Sequence, residues 1–132
     1  MLNILLVDDE PDFLRLMSLR IAEWGHSLIK AQNGKEAINA ITNRSPDIVI
    51  LDYMMPDMDG VSVLKEIRKI NKDIPVIMFT AYPTPKVMKE TDKLKISAFV
   101  PKLSVTSDTM LLLKSAVDLL ERNIEKKRNA GD

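Results

Sequence analysis

Ile48-Val49-Ile50-Leu51-Asp52-Tyr53-Met54-Met55-Pro56-Asp57-Met58-Asp59-Gly60 runs from four consecutive apolar residues into a carboxylate and then into turn residues. An apolar run without polar alternation is how a strand covered on both faces reads, as in a parallel sheet. It places Asp52 at the carboxyl end of that strand. Pro56 and Asp59-Gly60 break the strand, after which Val61, Val63, Leu64 and Ile67 recur at helical spacing. A carboxylate at the mouth of a buried strand is either a turn-capping residue or part of a site, and this stretch alone leaves both open.

Working outward, short apolar runs alternate with longer segments of helical period, the pattern of βαβ units around a parallel sheet. Strands are expected at about Asn3 to Val7, Ser27 to Lys30, Asp47 to Leu51, Pro75 to Phe79 and Ala98 to Val100. Asp8 or Asp9 is expected to cap a first helix that holds Pro11 in its first turn and ends at Gly25. Asn33-Gly34 followed by Glu36 reads as a capping box. Ser45-Pro46 ends that second helix, and the last helix runs from near Ser107 to the Glu125-Lys126-Lys127-Arg128 cluster. The fold class is therefore α/β: a flavodoxin-like, doubly wound, five-stranded parallel sheet of order 2-1-3-4-5 with five helices.

The 132 residues suit one domain able to bury its own core. No cysteine is present, which excludes disulfides, thiolate metal sites and cysteine nucleophiles and fits a reducing cytoplasm. The 19 basic and 19 acidic residues cancel, so overall charge favours neither nucleic acid nor an anionic membrane surface. No apolar run approaches membrane-spanning length, and a soluble, cytoplasmic protein with no direct nucleic acid binding is expected.

In a doubly wound sheet, ligands bind beyond the carboxyl ends of the strands where the strand order reverses. Asp8 and Asp9 end strand one, Asp52 ends strand three, Thr80 ends strand four and Lys102 follows strand five. Each has an ordinary explanation as a cap, a turn residue or a solvated charge. Their joint placement does not. Three carboxylates in one crevice repel unless a cation sits among them, and hard oxygen donors of this kind suit Mg²⁺.

These residues resemble the receiver domain of two-component response regulators. The resemblance rests on Asp8-Asp9-Glu10, Asp52 with Met55-Pro56 and Met58-Asp59-Gly60, Thr80-Ala81, and Phe99 three residues before Lys102. It covers Asn3 to roughly Leu120 and takes in Gly25-His26 and Asn33-Gly34-Lys35-Glu36-Ala37. It implies that Asp52 accepts a phosphoryl group from a sensor histidine kinase or phosphotransfer protein. It further implies that Asp9, Asp52 and the Met54 backbone carbonyl ligate Mg²⁺, with Asp8 acting through water or directly. Thr80 and Lys102 would bind the phosphoryl group, and Phe99 would turn inward as the face of helix four, strand five and helix five changes shape. Such a domain is a regulatory phosphoacceptor rather than an enzyme. Met54 and Tyr82, two beyond the acceptor and two beyond the threonine, overlook the path of an attacking water. Neither is a carboxylate or an amide, so slow self-dephosphorylation is expected.

Three departures stand against the family pattern. Leu103 follows Lys102 where most receivers have proline, Lys95-Ile96 replace the usual Gly-Ala before strand five, and Pro83 and Pro85 crowd the start of helix four. A short or displaced fourth helix is expected. Rival readings are weaker. Asp57, Asp59, Gly60 and Glu66 fall at EF-hand spacing, but Met55 at the first position offers no oxygen ligand and a strand enters where a helix should. A flavin or nucleotide binder lacks a phosphate loop after strand one. An adaptor that binds partners without phosphorylation fits the fold but wastes the intact acidic pair, acceptor, hydroxyl and lysine. His26 is expected at the surface in a turn. The receiver is expected over residues 1–122, with 123–132 a charged extension of the last helix or a linker. On that helix Met110, Leu113, Val117, Leu120 and Ile124 can face the core, while Leu112, Ala116 and Leu119 form a second stripe that suggests a homodimer or partner surface.

Overall fold

The computed structural model describes residues 1–81, 83–102 and 107–130. Strands β1 (Asn3–Val7), β2 (Ser27–Ala31), β3 (Ile48–Leu51), β4 (Val76–Thr80) and β5 (Ala98–Pro101) alternate with helices α1 (Pro11–Glu23), α2 (Gly34–Arg44), α3 (Gly60–Ile70), α4 (Pro85–Lys93) and α5 (Ser107–Ala130). The five strands form one parallel sheet in the order β2-β1-β3-β4-β5, as the sequence predicts.

The strands are apolar on both sides because both sides are covered. Phe13, Leu14, Met17 and Ile21 of α1 pack with Leu113, Val117 and Leu120 of α5 on one face. Ala37, Ala40 and Ile41 of α2 pack with Val63, Leu64 and Ile67 of α3 on the other. All four residues of β3 are fully buried, so Asp52 is the first polar residue on emerging from the core.

Several local expectations hold. The Asn33 carboxamide accepts the Glu36 amide at 2.8 Å, so Asn33 caps α2 as expected, and it donates to the Glu36 carboxylate at 3.0 Å, a side-chain pair in place of the backbone bond of a full capping box. Pro85 does not crowd α4: it occupies the first turn, where a missing N–H costs nothing, and Thr84 caps the helix through the Val87 amide. α4 is nonetheless short, with 9 residues.

Others are corrected. The cap position of α1 belongs to Glu10, with no side-chain cap; Asp8 Oδ1 instead accepts the Glu10 amide at 2.9 Å. Pro11 at the start of the helix pushes the cap one residue later than the acidic pair. His26 is buried rather than superficial. Gly25 reverses the chain at φ +88, and the imidazole turns under β1, where Nδ1 accepts the Leu2 amide at 3.1 Å. The EF-hand reading fails because β3 enters the loop in place of a helix.

Candidate functional site

The parallel ladder delivers the site residues to one edge. Asp8 donates its amide to the Ala31 carbonyl and Asp52 donates its own to the Val7 carbonyl, both at 3.0 Å, so the two carboxylates begin where pairing ends. Lys102 is fixed in the same way by its amide bond to the Thr80 carbonyl at 2.7 Å.

The loop after Asp52 is tightly drawn. Gly60 donates to the Tyr53 carbonyl at 2.6 Å, and a Cβ at Gly60 would lie 2.4 Å from the Asp52 carbonyl oxygen. Only glycine permits this approach. Asp59 then caps α3 through the Ser62 amide at 2.8 Å. Asp57 turns away from the acceptor: its carboxylate accepts the Gly34 and Lys35 amides at 2.9 and 3.2 Å, which with the Met58 amide hold its pKa below the usual value. Of the three aspartates that follow β3, therefore, two are occupied by helix ends and Asp52 alone faces the crevice.

Asp8 is buried, Asp52 is 7% exposed and Thr80 is fully buried. Burial pushes the Asp52 carboxyl up from 3.8 to about 6; Lys102 opposes this by charge, Asp8 adds to it, and hydrogen bonds from the Thr80 hydroxyl and Tyr53 amide lower it. Lys102 spans the crevice, with Nζ 2.7 Å from Asp8 Oδ2, 3.8 Å from Asp52 Oδ2 and 3.9 Å from Glu10 Oε1. Nζ also lies 3.8 Å from the centroid of the Phe13 ring.

Sequence reasoning placed Asp8, Asp9, Asp52, Thr80 and Lys102 at this edge, and all five lie there. It gave no role in the site to two neighbours. Glu10 completes a group with Asp8 and Asp9 whose carboxylate oxygens lie within 4.8 Å of one another; Asp52 stands outside that group, joined to it through Lys102. Phe13 was missed because an apolar residue on an amphipathic helix carries no signal beyond core. Met54 is 48% exposed beside the acceptor, and Phe99 is half-buried on β5, packed against the core cluster on the α2 and α3 side of the sheet. Tyr82 lies outside the described residues. The clustered carboxylates are hard donors of the kind Mg²⁺ takes, so the residues present fit that ion.

The family model of the response regulator receiver domain matches residues 4–114. Among curated proteins, a probable transcriptional regulator, ycf27, of Guillardia theta is 44% identical over 79 residues, 60% of this chain and 31% of that protein. The regulatory protein AtoC of Escherichia coli K12 is 34% identical over 117 residues, 89% of this chain and 25% of that protein. The chain thus spans about a third or less of the length of these two relatives. Among solved structures, the response regulator TrrA of Thermotoga maritima, in complex with Mg(2+)-BeF, superposes with TM-score 0.80 at 36% identity over 91% of this chain and 99% of that one. A receiver domain of a Francisella response regulator superposes with TM-score 0.80 at 28% identity over 93% and 99%. No helix among the described residues is long and apolar enough to cross a membrane. With the sheet order, the acidic crevice and these matches together, the chain belongs to the response regulator receiver domain family of two-component signalling.

Proposed function

We propose that this domain is a phosphoacceptor switch in the cytoplasm, loaded at Asp52 by a sensor histidine kinase or phosphotransfer protein. The observation that carries the reading is the isolation of Asp52: buried at the crevice, within 3.8 Å of Lys102, while Asp57 and Asp59 are engaged by helix termini. A carboxylate oxygen of Asp52 attacks phosphorus, forming an O–P bond as the P–N bond to the donor imidazole breaks. An ionised carboxylate needs no base, so the protein contributes position and charge.

Asp9, Asp52 and the Met54 carbonyl, with Asp8 assisting through water or directly, would hold Mg²⁺, which when bound would supply charge neutralisation for the transferring group. Lys102 leaves Asp8 to pair with one phosphoryl oxygen, and the Thr80 hydroxyl turns from the Asp52 carboxylate to another. These contacts exist only in the loaded state and so shift the balance between two conformations. Phe99, half-buried on β5, turns inward as Thr80 moves, which remodels the face of α4, β5 and α5. Neither Met54 nor Tyr82 offers a carboxylate or amide to an attacking water, which slows hydrolysis of the phosphoryl group. The receiver proper is assigned to residues 1–122, with 123–132 as a charged extension of the last helix or a linker. On α5, Leu112 and Leu119 are 58% and 52% exposed and one heptad apart, a stripe that suits a second copy of this chain. Sedimentation of Leu112→Glu with Leu119→Glu should show monomer where the parent self-associates; a parent monomeric at high concentration, with and without a phosphoryl analogue, removes the dimer.

The test of the switch is incubation with a small acyl phosphate. The parent should gain one phosphoryl mass in Mg²⁺ and none in chelator, and Asp52→Asn should gain none. A variant that gains the same mass at the same rate contradicts the assignment and leaves the phosphorylation-free adaptor as the better reading.

A further inference from the structure

We propose that Phe13 is the positioning residue for Lys102, its ring forming a floor on which the ammonium is carried between Asp8 and Asp52. The proposal rests on the reading of Asp52 as acceptor. Lys102 is a compact charge on a flexible four-carbon stem, which by itself has no preferred place in the crevice. Its carboxylate partners are spread: Asp8 is at 2.7 Å, whereas Asp52 and Glu10 are at 3.8 and 3.9 Å, beyond hydrogen-bond reach. The ring, 3.8 Å from Nζ, is the uncharged partner among these contacts.

That difference matters for a group that must move. A hydrogen bond to Asp8 holds the ammonium at one point. The face of an aromatic ring attracts a cation through its quadrupole without fixing a direction, and it keeps that attraction as the cation shifts across it. The ammonium can therefore travel the short distance from Asp8 toward a loaded Asp52 without first becoming bare. An aliphatic side chain at position 13 would fill the same space and offer the charge nothing.

The floor itself is held still. Phe13 is 6% exposed and lies in the first turn of α1, whose start is set by Pro11. Its ring packs tilted against Phe79, with centroids 5.9 Å apart and an interplanar angle of 40°. Phe79 immediately precedes Thr80 on β4, so the ring beneath the lysine is tied to the strand that carries the switch hydroxyl.

The experiment compares Phe13→Leu, which keeps an apolar side chain, with Phe13→Tyr, which keeps the aromatic face. The first readout is the proton NMR shift of the Lys102 ε-methylene in the metal-free protein. A group over a ring face is shielded, so an upfield shift is expected in the parent and in Phe13→Tyr, and its loss in Phe13→Leu. The second is the initial rate of phosphoryl uptake from a small acyl phosphate in saturating Mg²⁺. It should fall roughly fivefold in Phe13→Leu, with recovery in Phe13→Tyr. Should Phe13→Leu unfold, Phe13→Met makes the same comparison. Unshifted Lys102 protons in the parent overturn the proposal, as does a folded Phe13→Leu that loads at the parent's rate. If no protein loads, parent included, the acceptor reading has failed, and the proton shift alone then decides whether Phe13 holds the ammonium.

Discussion

Arg68 and Lys102 are both cations drawn partly inside the domain, and they are answered in opposite ways. Arg68 on α3 spends its guanidinium on backbone carbonyls: Nε on Leu94 at 2.8 Å, Nη1 on Ile74 at 2.8 Å and Asn71 at 3.3 Å, and Nη2 on Lys95 at 3.1 Å. Asn71 and Leu94 are the caps that end α3 and α4, so one planar fork closes two helices. It also steadies Lys95, whose φ of +61 is a conformation that glycine adopts more readily. Lys102 instead faces the carboxylates of Asp8, Asp52 and Glu10. Carbonyls are neutral and fixed by the backbone. Carboxylates change charge with pH and can be claimed by a metal or esterified. The first cation is a staple for α4; the second can be released by chemistry.

Removing each cation should therefore fail differently. Arg68→Met leaves carbonyls at two helix ends without their donor and should cost about 1–3 kcal/mol of stability, read by urea unfolding. Its folded fraction should load phosphoryl at the parent's rate. If loading falls in step with stability, the two regions are coupled and the contrast is wrong.

The next effect is on pH dependence. In the folded domain burial raises the Asp52 carboxyl from 3.8 to about 6. Folding is therefore favoured while Asp52 is protonated: the contribution is fully present below 3.8 and is lost as pH rises through about 6. In chelator, Asp52→Asn should melt higher than the parent above that range, with the gap closing as pH falls toward 3.8. A gap that does not vary with pH would remove the burial cost from Asp52.

Lys102→Met should move the Asp52 titration itself. Lys102 is the largest influence lowering that pKa, so its loss should carry the midpoint above about 6, followed by carbonyl-carbon NMR in metal-free protein. Arg68→Met should leave the midpoint in place. The smallest effect concerns lifetime: Met54→Asn with Tyr82→Glu should shorten the half-life of the loaded state in Mg²⁺, and equal decay in the double variant and parent would clear both residues of that role.

What the sequence disclosed follows from which signals survive without tertiary context. The strands of the parallel sheet announce themselves because burial on both faces leaves apolar runs such as Ile48 to Leu51, and the crossovers then bring Asp8, Asp52, Thr80 and Lys102 to one edge. Side-chain direction carries no comparable signal. Nothing in Gly25-His26 tells that the imidazole folds under β1 to accept the Leu2 amide, and nothing in an α1 phenylalanine tells that a lysine 89 positions later will lie over its ring. Arg68 reads as an exposed helical charge until α4 is placed beside it. Lys95 reads as a missing glycine, while the structure supplies the compensating bond from Arg68. Glu10 joined the acidic group because Pro11 fixed where α1 begins, a one-residue decision that propensity does not resolve.

Loading followed by reductive trapping tests the assignment of the acceptor most directly. Borohydride converts an aspartyl phosphate, but not a free carboxylate, to homoserine, and peptide mass mapping locates the change. Homoserine at position 52, with Asp57 and Asp59 intact, is the predicted result. Homoserine at either of those residues, or none anywhere after Mg²⁺-dependent loading, would contradict it.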